Sequence, residues 1–131
     1  PLILFSLSRR AFGISQWRDV KHYGVIILSE DQRELSNRFA RSGSDKWTDL
    51  PNLRMKNGAP LLPTWLTYFE CESYATYDGG DHDIFVCSVS RFESQPPGQG
   101  PLVFFGGRYG KLASESTVPI SPEVDFALHG W

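Results

Sequence analysis

Two strand-like runs joined by a glycine-rich turn limit the folds that this chain can adopt. Between Thr64 and Tyr77, aromatic and other apolar residues occupy both phases of a two-residue alternation, and Ile84 to Val89 is a second apolar run. Gly79-Gly80, between them, tolerates the positive φ that a hairpin tip requires. Because a strand that is apolar on both faces is typical of a barrel wall, we predict an antiparallel hairpin within a small β-barrel.

Further strands and one or two short helices are predicted around this hairpin. Strands are expected at Leu2 to Leu7, at Tyr23 to Leu28 and at Pro101 to Phe105, since these runs are short and apolar. A helical turn or two fits between Ser15 and His22. A longer helix is expected from the capping box Ser29-Glu30-Asp31-Gln32 through about Arg41, with acidic residues in its first turn.

We make one structural prediction for each end of the sequence and one for the segment before the hairpin. The first apolar run has the pattern of an element buried on both sides, which rarely comes first, so we expect that N-terminal strands of the domain are missing from this sequence. Residues 42–63 are rich in Ser, Gly, Asn, Asp and Pro and predict a long ordered loop. Residues 113–131 are expected to form a C-terminal extension that packs on the barrel or on a partner.

Composition narrows the classes of function open to the chain. Its 131 residues suffice for one domain with a hydrophobic core. Thirteen basic against fifteen acidic residues give a net charge of -2, so we predict no nucleic-acid partner. No apolar run approaches the roughly 20 residues of a membrane span, which predicts no membrane association. Two cysteines, Cys71 and Cys87, predict buried thiols in a reducing cytoplasm, not a disulfide framework.

His82 is the first candidate for chemistry. It follows the turn in Asp78-Gly79-Gly80-Asp81-His82-Asp83, where a rigid ribbon would project an imidazole from a fixed place. A solvated turn of ordinary polar residues is the alternative. No second histidine has ligand spacing, so we predict no metal site, and no serine sits in a nucleophile elbow.

Three other clusters could contact an anionic or flat ligand. Arg108 and Tyr109 follow two glycines and could bind a phosphate and stack on a ring, or belong to an ordinary turn with an exposed arginine. Ser29, at a helix start, could favour an anion or merely cap the helix. Ser8-Arg9-Arg10 follows the first strand and offers a hydroxyl and two guanidinium groups.

Four motifs occur in a fixed order: L-S-x-x-Q, R-F-A, G-D-H and P-L-x-x-F-x-G-R-Y. They lie within the segments PLILFSLS, YGVIILSEDQRELSNRFA, GAPLL (58–62), ECESYATYDGGDHDIFVCSV and PLVFFGGRYGKL. In this order the segments resemble the short-chain flavin reductases with an FMN-binding split barrel, which are the reductase components of two-component flavin-dependent monooxygenases. The resemblance covers residues 1–112, which we interpret as one domain.

The resemblance implies a mainly β fold: a six-stranded antiparallel split barrel with Greek-key topology and one or two short helices. Members of the family carry strands upstream of the first segment, including a serine-rich flavin loop, which agrees with the expected missing strands. The resemblance also implies a homodimer with the flavin near the subunit interface. The cofactors would be FMN or FAD, with NADH or NADPH as the reductant.

Residue roles follow from the same motifs as what the resemblance implies. The residues that match flavin contacts are Ser8, Arg9, Arg10, Ala11, Ser29 and Gln32, and those that match contacts on the nicotinamide side are His82, Arg108 and Tyr109. The family often has Ser or Thr where this chain has Arg9-Arg10-Ala11, and Asn where it has Ile26. The phosphate contacts and the choice between FMN and FAD therefore stay open.

The implied function is NAD(P)H-dependent reduction of a flavin, with hydride passing from nicotinamide C4 to flavin N5. His82 would position the nicotinamide without an obligatory proton transfer. Reduced flavin would then pass to a partner monooxygenase. The alternative is a split-barrel protein that binds or carries flavin without reductase turnover.

Overall fold

A computed structural model describes residues 1–41, 43 and 45–113. In chain order its elements are β1 (Leu2–Ser8), α1 (Ile14–Asp19), β2 (His22–Ile27), α2 (Arg33–Ala40), β3 (Leu53–Arg54), β4 (Pro60–Leu61), β5 (Thr67–Gly79), β6 (His82–Ser94), β7 (Val103–Phe105) and β8 (Arg108–Gly110). The mainly β architecture with short helices is thus confirmed. No helix in these ranges is long and apolar enough to cross a membrane. The C-terminal extension predicted for 113–131 lies outside the described residues from position 114 onward.

A four-stranded antiparallel sheet in the order β1-β6-β5-β2 forms the body of the described chain. The long hairpin β5–β6 is at its centre, and β1 and β2 are its two edges. Register shifts between Glu70 and Cys71 and between Ser73 and Ala75 interrupt the β5–β6 ladder. Such bulges bend a strand and increase its twist, which lets the sheet curl.

The strand count differs from the prediction of six strands in one barrel. In the described residues, β3 pairs with β4 and β7 with β8 as separate two-stranded sheets, so a six-stranded barrel is not confirmed. The strand predicted at Pro101 to Phe105 is shortened to β7. It pairs locally with β8 because Gly106 and Gly107, with φ of 57° and 77°, form a two-residue hairpin turn directly after it.

The core consists of two clusters of buried side chains, and the smaller one contains Met55, Ala59 and Tyr68. The larger one is built around two aromatic rings and two thiols. Tyr23, Phe85 and the thiols of Cys71 and Cys87 are all buried, and Phe85 stacks on Phe5 with ring centroids 5.2 Å apart. Burial of one such aromatic side chain contributes about 1.5–3 kcal/mol. The predicted burial of both thiols is confirmed, and it raises the pKa of Cys71 to about 11, so that this thiol stays neutral.

The start of α2 departs from the predicted capping box. The helix begins at Arg33, after an N-cap at Gln32, and not directly after Ser29. Half of the box is present, because the Ser29 N–H donates to Gln32 Oε1 at 2.8 Å. The Ser29 hydroxyl donates to Asp31 Oδ1, and the helix has no side-chain hydrogen bond at its N-cap. The shorter helix α1 overlaps the region predicted for a turn or two of helix and begins one residue before it.

Candidate functional site

The tip of the β5–β6 hairpin is a two-residue turn made by Gly80 and Asp81. Gly80 has φ of 76°, whereas Asp81 has no positive φ, which is the pattern of a type II′ turn. Gly79 is the last residue of β5 and lies opposite His82. The tip is therefore shifted by one residue from the predicted Gly79-Gly80 pair.

His82 projects from the first position of β6, beside the end of β1. It pairs in register with Ser8, so the first residue of the predicted flavin segment and the predicted nicotinamide histidine are cross-strand neighbours. The Nδ1 atom of His82 lies 2.7 Å from Asp81 Oδ1, and the side chain is 43% exposed. This hydrogen bond lowers the pKa of Asp81. With Nδ1 engaged, Nε2 is the ring nitrogen that can meet a ligand.

Asp83, the next residue, is a buried carboxylate that binds two arginines. Its Oδ1 accepts a hydrogen bond from Arg9 Nε at 2.9 Å, and its Oδ2 accepts one from Arg18 Nε at 2.7 Å. Arg9 also forms an ion pair at 3.0 Å with Asp78, which lies opposite Asp83 in the ladder. The Arg18 and Arg9 guanidinium groups hold the pKa of Asp83 below its usual value.

The turn after β1 presents Ser8 to Ala11 at the same end of the sheet. The Arg10 N–H donates to Ser8 Oγ at 3.2 Å, and the Ala11 N–H donates to the Ser8 carbonyl at 2.8 Å. The Arg9 N–H donates to the carbonyl of Asp81 at 2.9 Å, which extends the β1–β6 ladder onto the turn. Arg10 is exposed, and so is Phe12 just beyond it.

Ser29 and Gln32 lie elsewhere, at the entry to α2, and both are buried. The Gln32 amide donates to the carbonyl of Thr64 at 2.9 Å and lies 2.8 Å from its hydroxyl, while its Oε1 accepts from Ser29. The Glu30 N–H donates to the carbonyl of Gly100 at 2.9 Å. These contacts hold the L-S-x-x-Q segment against two other segments of the chain, and they occupy the polar atoms of the Gln32 side chain.

Arg108 and Tyr109 lie on β8, whose hairpin packs on α2. The Tyr109 hydroxyl is 3.0 Å from both Ser36 Oγ and Asn37 Oδ1. The Arg33 guanidinium carbon lies 5.2 Å from the centroid of the Tyr109 ring, a cation–π distance. Arg108 is exposed beside it. Tyr109 thus contacts the protein on both its ring and its hydroxyl, whereas Arg108 remains accessible.

The predicted site residues fall into two groups. One group, at the hairpin tip, contains Ser8, Arg9, Arg10, Ala11 and His82, and the other, around α2, contains Ser29, Gln32, Arg108 and Tyr109. Within residues 1–113, leaving out 42 and 44, no hydrogen bond or ion pair joins the two groups.

A cavity of about 650 Å³ lies beside β2, between α1, α2 and the segment that leads to β4. Its lining includes the aromatic residues Trp17, Tyr23, Phe39 and Trp47. None of the predicted site residues lines it. The cavity follows the free edge of β2, which is one of the two edges of the four-stranded sheet.

Sequence reasoning placed Asp83 in the polar turn around His82 and did not single out Arg18. A signal for Asp83 was nonetheless present, because strand alternation places it on the same face as Phe85 and Cys87, which point into the core. A carboxylate in such a position needs cationic or hydrogen-bonding partners. The sequence could not identify which arginine would supply them.

Comparison with known families agrees with this architecture. The family model described as "Flavin reductase like domain" matches residues 1–113. The chain belongs to the flavin reductase like domain family. The match spans both groups of candidate residues, and the resemblance drawn from the four sequence motifs is thereby confirmed.

Three relatives of this flavin reductase like chain illustrate the similarity. FMN reductase (NADH) SmoA of Agrobacterium fabrum is 34% identical over 115 residues, covering 88% of this chain and 64% of the relative. The reductase component of the flavin-dependent trigonelline monooxygenase of Acinetobacter baylyi is 32% identical over 120 residues, covering 92% and 38%. The NADH:FAD oxidoreductase SgcE6 of Streptomyces globisporus, solved with NAD and FAD fragments, is 25% identical, with a TM-score of 0.82 over 89% of this chain and 71% of that one. The chain spans 38% and 64% of the lengths of the two curated relatives.

Proposed function

We propose that this protein is an NAD(P)H-dependent flavin reductase that reduces FMN or FAD and supplies the reduced flavin to a partner monooxygenase. The observation that carries the proposal is the pairing of Ser8 with His82, which brings the residues expected on the flavin side and on the nicotinamide side to one end of the sheet. The names of the relatives, an FMN reductase (NADH) and a monooxygenase reductase component, support the same reaction.

The donors at the hairpin tip suit a flavin and a nicotinamide dinucleotide. The turn from Ser8 to Ala11 presents the exposed Arg10, whose guanidinium can bind a phosphate through two parallel hydrogen bonds. The half-exposed His82 offers a ring nitrogen and a flat surface. A flavin held by these residues would supply N5 as the acceptor for a hydride from nicotinamide C4.

The role proposed for His82 is to hold the nicotinamide or its carboxamide in place. Asp81 accepts a hydrogen bond from His82 Nδ1–H and so orients the ring, because an ionised carboxylate can only accept a hydrogen bond. The protein then contributes alignment, which lowers the barrier by fixing the two reactants in advance. Hydride transfer itself needs no proton from His82.

Oxidation of NADH and of NADPH by the full chain, with FMN or FAD added, tests the proposal. We expect flavin-dependent oxidation by the wild-type protein. His82→Ala removes one hydrogen bond of about 0.5–1.5 kcal/mol, so KM for the nicotinamide should rise about twofold to twelvefold while the flavin Kd is kept. His22→Ala is the matched control, because His22 is an exposed histidine on β2, in the lining of the cavity.

Two outcomes would contradict the proposal. Absence of flavin-dependent oxidation of NADH and NADPH by the folded wild-type protein would show that it is not a reductase. Retained flavin that is bleached by dithionite but by neither NADH nor NADPH would instead favour a protein that only binds or carries flavin. An equal loss of flavin binding and turnover in His82→Ala would assign His82 a structural role.

The proposal includes an assembly and a location. We infer a homodimer in the cytoplasm, with the four-stranded sheet completed to a six-stranded Greek-key barrel by strands that pair with the edges of β1 and β2. Both edges carry backbone groups that a further strand could pair with. Sedimentation equilibrium tests the dimer, and a monomer at micromolar concentration would contradict it.

A further inference from the structure

Asp83 joins three separate segments at the hairpin tip. It starts the inward-facing series of β6, and its side chain is only 6% exposed. Arg9 belongs to the turn after β1, and Arg18 belongs to α1. Each carboxylate oxygen accepts a bond from a different guanidinium, at 2.9 Å and 2.7 Å. One buried carboxylate therefore ties the turn, the helix and the hairpin together.

Arg9 also bridges two carboxylates and so offsets the repulsion between them. Asp78 and Asp83 lie directly opposite each other in the β5–β6 ladder, and two carboxylates in such a pair repel. The Arg9 guanidinium contacts both, at 3.0 Å and 2.9 Å. The Arg9 guanidinium is therefore bound to two carboxylates of the hairpin, and it is not free to bind a phosphate while these ion pairs are formed.

This cluster of Arg9, Arg18 and Asp83 lies next to the proposed site but on the other face of the sheet. Consecutive strand residues point to opposite faces, so His82 and its cross-strand neighbour Ser8 face away from Asp83. The cluster leaves that face open while it fixes the backbone from which both residues project. The Arg9 N–H bond to the carbonyl of Asp81 adds a second link between the turn and the hairpin tip.

We propose that Asp83 is a positioning residue, which sets the distance between the flavin-side turn and His82 by binding Arg9 and Arg18. The inference rests on the proposed reductase function. In a reaction between two bound partners, a misplacement of 1 Å can cost about a hundredfold in rate. Loosening the cluster should therefore lower kcat more than it weakens the binding of flavin.

Asp83→Asn in the full chain tests the inference, with Glu70→Gln as the matched control. Glu70 is also a buried carboxylate of the β5–β6 hairpin, but it lies near the opposite end and binds the backbone of another segment. At a temperature well below both Tm values, we expect Asp83→Asn to lower kcat by about tenfold or more, with a change in flavin Kd of less than about threefold. Glu70→Gln should lower Tm without lowering kcat.

Arg18→Met provides a second variant in case Asp83→Asn does not fold. It removes the half-exposed guanidinium that binds Asp83 Oδ2, and it should also lower kcat. Asp83→Glu keeps the charge, so it should recover part of the loss. Wild-type kcat in both Asp83→Asn and Arg18→Met, or an equal fall in Glu70→Gln, would overturn the positioning role. If the wild-type protein shows no turnover, the proposed function and this inference fall together, whereas turnover with unaffected variants overturns the inference alone.

Discussion

The two ends of the β5–β6 hairpin each bury a carboxylate, but they neutralise it in different ways. Near the base, Glu70 accepts hydrogen bonds from the backbone N–H groups of Asn57 at 2.8 Å and Lys56 at 3.3 Å. At the tip, Asp83 binds the guanidinium groups of Arg9 and Arg18. Arg91 Nε also lies 3.8 Å from Glu70 Oε1, too far for a hydrogen bond. The base therefore relies mainly on the fixed dipoles of one adjacent loop, whereas the tip uses hydrogen-bonded charges carried by long side chains from two other elements.

This difference indicates what each end organises. Backbone amides are part of the main chain, so Glu70 fixes the course of the segment between β3 and β4. Arginine side chains are flexible and gain their order from the partner, so Asp83 fixes the turn after β1 and helix α1 relative to the hairpin tip. We expect the base to govern stability and the tip to govern the geometry of the candidate site.

The largest expected effect is on stability at the base. Glu70→Ala removes the carboxylate that accepts from two part-buried backbone N–H groups, and loss of the partner of a fully buried group costs about 1–3 kcal/mol. We expect the free energy of unfolding to fall by at least about 1 kcal/mol in urea titrations, with little change in the slope. A loss below about 0.5 kcal/mol would show that water replaces the carboxylate, and the contrast between the two ends would then weaken.

The second largest expected effect is on the pH dependence of stability, and it arises from Asp83 at the hairpin tip. In the folded protein the pKa of Asp83 lies below its ordinary value of 3.8, because Arg18 and Arg9 favour the ionised form. The carboxylate therefore stabilises the fold at pH above 3.8, and this contribution is lost as the pH falls through the folded-state pKa. We expect the stability difference between wild type and Asp83→Asn to be constant near neutral pH and to shrink in acid.

Asp78→Asn is the matched comparison for this acid titration. Asp78 binds the same Arg9 and its pKa is also lowered, first by the Gly80 N–H and then by Arg9, but its side chain is 75% exposed. Because salt screens exposed charges more than buried ones, the effect of Asp78→Asn should be smaller and should decrease with added salt. Equal salt sensitivity of the two variants would argue against the burial of the Asp83 pair.

How far the sequence could predict this molecule depends on the range of the interactions involved. The hairpin and the buried thiols followed from local periodicity, turn chemistry and residue type. The start of α2 did not, because the Gln32 amide bonds to Thr64, a partner 32 positions away. Strand β7 was predicted within a barrel, yet the Gly106-Gly107 turn pairs it locally.

The candidate site divides in the same way. His82 at the hairpin tip and its pairing partner Ser8 were both singled out from motifs, and the structure places them side by side. The partner choice of Arg9 could not be predicted, since a sequence with adjacent arginines does not indicate which one meets a carboxylate 74 positions later. The flavin contact of Ser8 and the nicotinamide contact of His82 remain predictions.

The smallest expected effect distinguishes these two adjacent arginines. Arg9 is bound to Asp83 and Asp78, whereas Arg10 is exposed and contributes only its backbone N–H to the turn. Surface substitutions away from such contacts usually change stability by less than about 0.5 kcal/mol. Arg10→Ala should therefore leave Tm almost unchanged, whereas Arg9→Ala should lower it.

Ligand affinity should depend more on Arg10 than on Arg9, which is the reverse of the order expected for Tm. If Arg10 is the guanidinium that meets a flavin or dinucleotide phosphate, Arg10→Ala should raise the corresponding Kd by about tenfold, the loss expected for one charge-assisted hydrogen bond of about 1.5 kcal/mol. Titration of FMN, FAD, NADH and NADPH against each variant, with Arg10→Lys to keep the charge, measures this. Stronger loss of affinity in Arg9→Ala at unchanged Tm would reverse the assignment: Arg9 would then leave the carboxylates to bind ligand, and the tip would be held by Arg18 alone.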